Sequence, residues 1–249
     1  MHSLETLSVN KIKEISKLHQ KKYREQSGLF IAEGLKSVQE LIDEKIEIKY
    51  IFALKSVNKT KLNFSVTFID EAAMKKISTT NSVCEILAVA RKKEYSKKEI
   101  QNRKKIILLD SISDPGNLGT IIRSASAFGV DAIILYNNCV DLYSSKVIRS
   151  SAGNFFKTPV LHIKNTEELN TLFPQHVKIS TLLSEVNNIS IKDCSKLDKY
   201  IIMFGSEADG LCDELTNTAQ KNIKLKMKNN VESLNLSVSV SIILYELSL

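Results

Sequence analysis

The sequence predicts an α/β protein made of two successive domains, a small one followed by a larger one with a parallel sheet. Three observations carry this. Strand-like apolar runs alternate with segments of helical periodicity, and strands spaced by helices imply a parallel sheet joined by crossovers. The hydrophobic fraction, 43%, is ample for real cores, although aromatic residues make up only 6% and tryptophan is absent, so aliphatic side chains must do most of the packing. A basic stretch, RKKEYSKKEIQNRKK (91–105), divides the two halves and reads as a linker. The expected layout is residues 1–95 as the first domain, 96–104 as the linker and 105–249 as the second.

In the first domain, VNKIKEISKLH carries Val9, Ile12, Ile15 and Leu18 at helical spacing. GLFIAEG reads as a short strand, and LKSVQELIDE as a helix with Leu35, Val38, Leu41 and Ile42 on one face. IEIKYIFAL, SVTFID and CEILAVA read as strands, with EAAMKKIS a helix between the last two. In the second domain, KIILLD is a buried strand, DPGNLG a tight loop, and TIIRSASAFG a helix ending near Gly129. VDAIILY, VKISTLL and YIIMFG are further strands, and SSKVIRSSAGNFF reads as helical. In parallel sheets ligands gather at the carboxyl ends of strands. That rule points to the loops 110–119, 205–211 and 227–233.

The last stretch, ESLNLSVSVSIILYEL, is ambiguous. From Leu234 to Ile242 it alternates apolar and polar residues strictly, which by periodicity is a half-buried strand.

Charge and cysteine usage bound the function. Net charge is +7. Residues 1–100 hold 19 Lys and Arg against 13 Asp and Glu, while residues 101–249 hold 16 against 15. A basic first half suits a polyanionic partner. Cys84, Cys139, Cys194 and Cys212 form no CxxC pair, and no histidine joins them at ligand spacing, so no metal site or disulfide framework is expected. No run approaches a membrane span, and the start has neither a signal peptide's apolar core nor an Arg-rich transit pattern. A cytoplasmic protein is expected.

Within the loops, DPGNLGTIIR places Asn117 and Gly119 at a strand-to-helix junction with Arg123 in the helix, an arrangement able to hold an anion. FGSEADGL puts Gly205 at a strand end, where a ligand can approach the backbone, followed by Glu207. Neither matches GxGxxG or GxxxxGK[ST], and GxSxG and HExxH are absent.

Together, DSISDPGNLGTIIRSASAFGVDAIIL, MFGSEADGL and LKMKNNVESLNLSVSVSIILYE resemble the three ordered motifs of the SpoU (TrmH-type) branch of the SPOUT RNA methyltransferases. KKYREQSGLFIAEGLKSVQELI resembles the substrate-binding domain, related to the ribosomal protein L7Ae/L30e fold, that often precedes that catalytic domain. The resemblance covers nearly the whole chain. It implies a SPOUT domain with a deep trefoil knot, usually homodimeric with the active site completed across the dimer. It also implies methyl transfer from S-adenosylmethionine to a ribose 2′-hydroxyl of RNA. Ribosomal RNA is the favoured substrate because of the added domain, with transfer RNA the nearest alternative. A non-catalytic RNA- or ribosome-binding factor on the same fold is the rival from another class.

Carried over position by position, the resemblance assigns catalysis to Arg123, Asn117, Glu207, Ser233 and Asn235. It assigns cofactor binding to Leu182, Gly205, Leu225, Met227 and Leu234. Arg123 is expected to be essential, as a proton acceptor or as a phosphate clamp. Lys17, Lys21, Lys22 and Arg24, read as a basic cluster at the end of the first helix, and Arg149 in KVIRSSAG are the expected RNA contacts. The chain departs from the family in having Leu225-Lys226-Met227 where Ile-Pro-Met is usual, and Asn229 where glycine is common. The resemblance also makes the final stretch a helix beginning at 232–235. On a helix Leu234, Val238 and Ile242 share one face, and Leu236, Val240, Ile243 and Leu247 an adjoining one. Ser237 and Ser241 then form a small-residue stripe suited to close helix packing.

Overall fold

The computed structural model describes residues 4–57, 64–80, 84–181, 187–225, 227–228 and 233–248. In chain order the first elements are α1 (Val9–Lys17), α2 (Lys21–Ser27), β1 (Leu29–Glu33), α3 (Leu35–Asp43), β2 (Ile48–Ala53), β3 (Thr67–Phe68), α4 (Glu71–Ile77) and β4 (Ile86–Arg91). Next come α5 (Lys97–Ile100), β5 (Lys105–Asp110), α6 (Pro115–Ala127), β6 (Ala132–Tyr136), α7 (Ser145–Ser150), β7 (Val160–Ile163) and α8 (Thr166–Leu172). The chain closes with β8 (Val177–Ser180), α9 (Ile191–Cys194), β9 (Tyr200–Phe204), α10 (Asp213–Thr218), β10 (Lys221–Asn222) and α11 (Leu236–Ser248).

Two compact units form: Met1–Lys93 with Asp141–Phe156, and Glu94–Val140 with Lys157–Leu249. The first unit holds a four-stranded sheet, ordered β1-β4-β2-β3, with β4 antiparallel to both β1 and β2. Its core joins Ile15 of α1 and Met74 and Ile77 of α4 to Ile31, Phe52, Leu87 and Val89 of the sheet. The expected single first helix is in fact two. α1 stops at Lys17, and α2 runs from Lys21 to Ser27, where Gly28, with a positive φ of 66°, ends it in the left-handed conformation that glycine adopts freely.

Residues 141–156, which follow β6 in sequence, complete this first unit. Phe30 of β1 is fully buried, with its ring 5.0 Å from that of Tyr143 and 6.0 Å from that of Phe156. Three buried charges of the first 95 residues also find partners there. Arg24 Nε donates to Asp141 Oδ2 (2.8 Å), Arg149 pairs with Glu33, and the Phe156 amide donates to Glu40 Oε1 (2.7 Å). A buried charge without such partners would be strongly destabilising, so the segment is integral to the unit.

The second unit is a six-stranded, wholly parallel sheet ordered β10-β8-β9-β5-β6-β7. Its central strands are apolar throughout, as a sheet covered on both faces requires. DPGNLG is not a loop: α6 begins at Pro115, and the Asp114 side chain accepts from the Asn117 amide (2.8 Å) as its cap. Proline at the first helical position after a capping aspartate favours a helix start, even where Pro and Gly together suggest a turn. Arg123 therefore lies two turns into the helix.

The final stretch is a helix, not the strand its alternation suggests. α11 starts at Leu236, and Asn235 Oδ1 accepts from the Ser237 amide (3.0 Å). Leu236, Val240, Ile243 and Leu247 are buried, whereas Leu234, Val238 and Ile242 are exposed. Ser241 Oγ lies 2.7 Å from Ser124 Oγ on α6, so the small-residue stripe serves the packing of α6 against α11 within one chain. The knot expected here depends on the course of 182–186 and 229–232, which lie outside the described residues, as do Leu182, Lys226, Asn229 and Glu232. No helix among the described residues is long and apolar enough to cross a membrane.

Candidate active site

The site lies where β5 and β9 end. Asp110, the last residue of β5, is 1% exposed. It accepts hydrogen bonds from Ser111 Oγ (2.9 Å), Asn137 Nδ2 (2.8 Å) and the Cys212 amide (2.9 Å). One buried carboxylate thus fastens the loops after β5, β6 and β9 together.

Above it, α6 presents Asn117, the turn after β9 presents Glu207, and the start of α11 presents Asn235. These three side chains are mutually bonded. Glu207 Oε1 accepts from Asn117 Nδ2 (2.8 Å), Asn235 Nδ2 (3.1 Å) and the Leu236 amide (3.1 Å). Asn235 Nδ2 also reaches Asn117 Oδ1 (3.1 Å), and Asn235 Oδ1 accepts from Ser237 Oγ (2.6 Å). A carboxylate at the start of a long helix is favoured by its free amides and dipole.

The turn that carries Glu207 is closed by paired backbone bonds, Ser206 N to Gly210 O (3.0 Å) and Gly210 N to Ser206 O (3.1 Å). A Cβ on Gly205 would lie 1.9 Å from the Gly210 carbonyl carbon. Glycine is therefore demanded at 205 by the returning chain, as well as by any ligand at the strand end.

Beside the Glu207 network opens a cavity of about 260 Å³. Gly205, Leu225, Met227, Leu234, Ser233 and Glu207 all line it, so four of the five expected cofactor residues and two of the catalytic ones converge there. Phe204, Ile223 and Ile243 make its walls apolar, Thr181, Ser206 and Ser239 supply hydroxyls, and Glu207 supplies a carboxylate at its edge. Apolar walls for a flat base, hydroxyls for a ribose and a carboxylate near a cation suit S-adenosylmethionine. Asp110 was not among the expected site residues, although an aspartate closing the run KIILLD is its visible signal.

Arg123 sits apart from this network. It is exposed on α6, six residues beyond Asn117, which on an α-helix is ~9 Å along the axis and ~240° around it. It hydrogen-bonds to no described residue. In the first unit, Lys17, Lys21 and Lys22 are exposed. Two expected RNA contacts are otherwise engaged. Arg24 is only 3% exposed and its guanidinium is taken by Asp141 and by the Leu18 carbonyl (2.6 Å). Arg149 is held by Glu33 and by Thr79 Oγ1 (2.8 Å). Both guanidiniums are thus paired with a carboxylate of the same unit, Arg24 in the interior and Arg149 partly exposed. Among the described residues, no group of His, Cys, Asp or Glu could hold a metal ion.

This fold is that of a family of RNA-modifying enzymes. Residues 104–245 match the SpoU rRNA methylase family, and the chain belongs to it. Residues 9–88 match the MRM3-like substrate binding domain. The chain is 28% identical to the 23S rRNA (guanosine(2553)-2′-O)-methyltransferase RlmP of Bacillus subtilis, over 99% of each chain. It is 27% identical to the 23S rRNA (adenosine(1067)-2′-O)-methyltransferase of Streptomyces azureus, over 74% of this chain and 70% of that one. Among solved structures, the AdoMet-bound rRNA methyltransferase of Sinorhizobium meliloti superposes with a TM-score of 0.85 at 26% identity, covering 97% of this chain and 96% of that one.

Proposed function

We propose that this chain transfers a methyl group from S-adenosylmethionine to a ribose 2′-hydroxyl of ribosomal RNA, of the large subunit. The observation that carries this is the bonded Asn117–Glu207–Asn235 cluster set against the cavity that gathers Gly205, Leu225, Met227 and Leu234. Two relatives named for 2′-O-methylation of 23S rRNA support the choice of substrate.

Bound there, S-adenosylmethionine supplies a methyl on a cationic sulfur that leaves as a neutral thioether. This chain must therefore align the hydroxyl and assist loss of its proton. Glu207 and the two asparagines fix the starts of α6 and α11 relative to the cofactor loop, and Ser233 faces the cavity. A guanidinium stays protonated in proteins. Arg123 is accordingly assigned to hold a substrate phosphate and stabilise developing negative charge on the ribose oxygen.

The enzyme works as a homodimer in the cytoplasm. Leu234 just before α11 and Val238, Ile242 and Tyr245 along it form an exposed apolar stripe, which a second copy would cover. Arg123, pointing away from Asn117, would then serve a site completed by that copy.

Purified protein incubated with labelled S-adenosylmethionine and ribosomal RNA should yield 2′-O-methylated nucleosides by mass spectrometry. Arg123→Ala should cut the rate by about 100-fold or more, the scale of losing one transition-state charge contact. Label appearing on transfer RNA but not on ribosomal RNA would move the substrate. Cofactor-independent RNA binding without methylation would leave only a binding protein.

A further inference from the structure

The first unit contains a cavity that the methylation chemistry does not use. It lies between α1 and α2, has a volume of about 410 Å³, and is larger than the cavity beside Glu207. Leu18 and Leu29, 6% and 8% exposed, form its apolar floor. Tyr23 contributes an aromatic ring, and the Lys17 ammonium sits 5.3 Å from that ring's centre.

The charges around the cavity are unbalanced. Among the described residues its one acidic side chain, Glu14, is already paired with Lys11 (3.1 Å) and Lys49 (3.8 Å). Lys13 and Lys17, one turn apart on α1, make no ion pair with any described residue. At the rim, the exposed carboxamides of Asn10 and Gln26 hydrogen-bond to no described residue. A carboxamide both donates and accepts, as the polar edge of a nucleobase does.

An aromatic face, a neighbouring cation and free amides on an apolar floor are the parts that recognise one unstacked nucleotide. Single-stranded RNA is bound by stacking bases on aromatic rings and placing phosphates on lysines, whereas duplex grooves offer no base to such a pocket. We propose that this cavity takes one extruded nucleotide of the RNA substrate, its base against Tyr23 and its flanking phosphates on Lys13 and Lys17. The proposal rests on the RNA-methylating function and adds to it a second point of contact. The enzyme would thereby select RNA that carries an unpaired nucleotide in addition to the methylated one.

The test uses the full chain with two probes, ribosomal RNA and a single-stranded uridine decamer. Tyr23→Ala should weaken binding of each about tenfold, the scale of one lost stack, and raise KM for ribosomal RNA with kcat unchanged. Tyr23→Phe, which keeps the ring, should restore binding. Lys13→Ala with Lys17→Ala should lower the slope of log affinity against log salt by about 2. Calorimetry with S-adenosylmethionine should be the same for all variants, which also reports that they are folded. Unchanged RNA affinity and salt slope in variants that still bind the cofactor would overturn the pocket while leaving the methyltransferase intact. A wild-type protein that neither binds nor methylates RNA would overturn both readings together.

Discussion

Glu33 in the first unit and Glu207 in the second each gather several donors, but they do so in opposite settings. Glu33 is 3% exposed, accepts from the Thr79 amide (2.6 Å) and hydroxyl, and is neutralised by Arg149. Glu207 is exposed and receives three N–H donors on one oxygen, with no cation bonded to it among the described residues. The first arrangement spends a full guanidinium on a buried carboxylate, so it holds structure and offers nothing to a ligand. The second keeps a carboxylate at the mouth of a cavity with its charge uncompensated by side chains, which is what a cationic cofactor can use. Hydrogen-bond count alone does not distinguish them; burial and counter-charge do.

Removing each carboxylate should separate the two roles. Glu33→Ala leaves Arg149 without its partner beside a buried gap, and should cost about 3 kcal/mol in urea unfolding. At temperatures where it stays folded, kcat should be unaltered; a loss below about 1 kcal/mol would mean that the pair is ornamental. Gly205→Ala drives a methyl into the Gly210 backbone, so the turn that carries Glu207 must move. We expect about 2 kcal/mol of destabilisation and at least a tenfold weaker heat signal for S-adenosylmethionine. Normal cofactor affinity in that variant would show that the turn has another way to relax.

Glu207→Gln keeps an acceptor but discards the charge. It should lower kcat about tenfold with the melting temperature nearly unchanged, since the residue is exposed. A large stability loss with normal kcat would make Glu207 a second Glu33.

The smallest effect concerns protons, with one histidine in each unit. Burial holds the pKa of His19 and of His176 below the usual 6.5, and His176 Nε2 contacts the Arg103 carbonyl at 2.7 Å. Below pH 6.5 the unfolded chain takes up protons that the folded chain resists, so stability falls as pH drops through the lowered folded values and is flat from this source above 6.5. His19→Asn and His176→Asn should each flatten part of the slope between pH 7 and 5 in urea titrations. Slopes identical to the parent's would assign acid sensitivity to other groups.

Part of the candidate site follows from motifs in the sequence. The motifs single out Asn117, Glu207 and Asn235, and the three meet although 118 positions of sequence separate the first from the last. Asp110 escaped because a buried aspartate at a strand end looks like any turn residue until its three donors arrive from three loops. For the same reason the pairing of Arg24 and Arg149 is invisible in the sequence, which shows a cation but not the Asp141 or Glu33 that engages it.

Local chemistry alone fixed most elements of this protein. The apolar runs of β5, β6 and β9 and the stripe of α1 are dictated by burial and period, and the charge imbalance of the first hundred residues is pure composition. Tertiary structure decided the rest. It packs α11, the helix that the motif resemblance implies and the Leu-Asn-Leu-Ser-Val-Ser-Val-Ser-Ile alternation does not, against α6, where Ser124 meets Ser241 at 2.7 Å. It also assigned residues 141–156 to the first unit, where Asp141, Arg149 and the Phe156 amide bond to the buried charges of Arg24, Glu33 and Glu40. Periodicity reads only neighbours in the chain, whereas a buried charge is answered by whatever the fold brings to it.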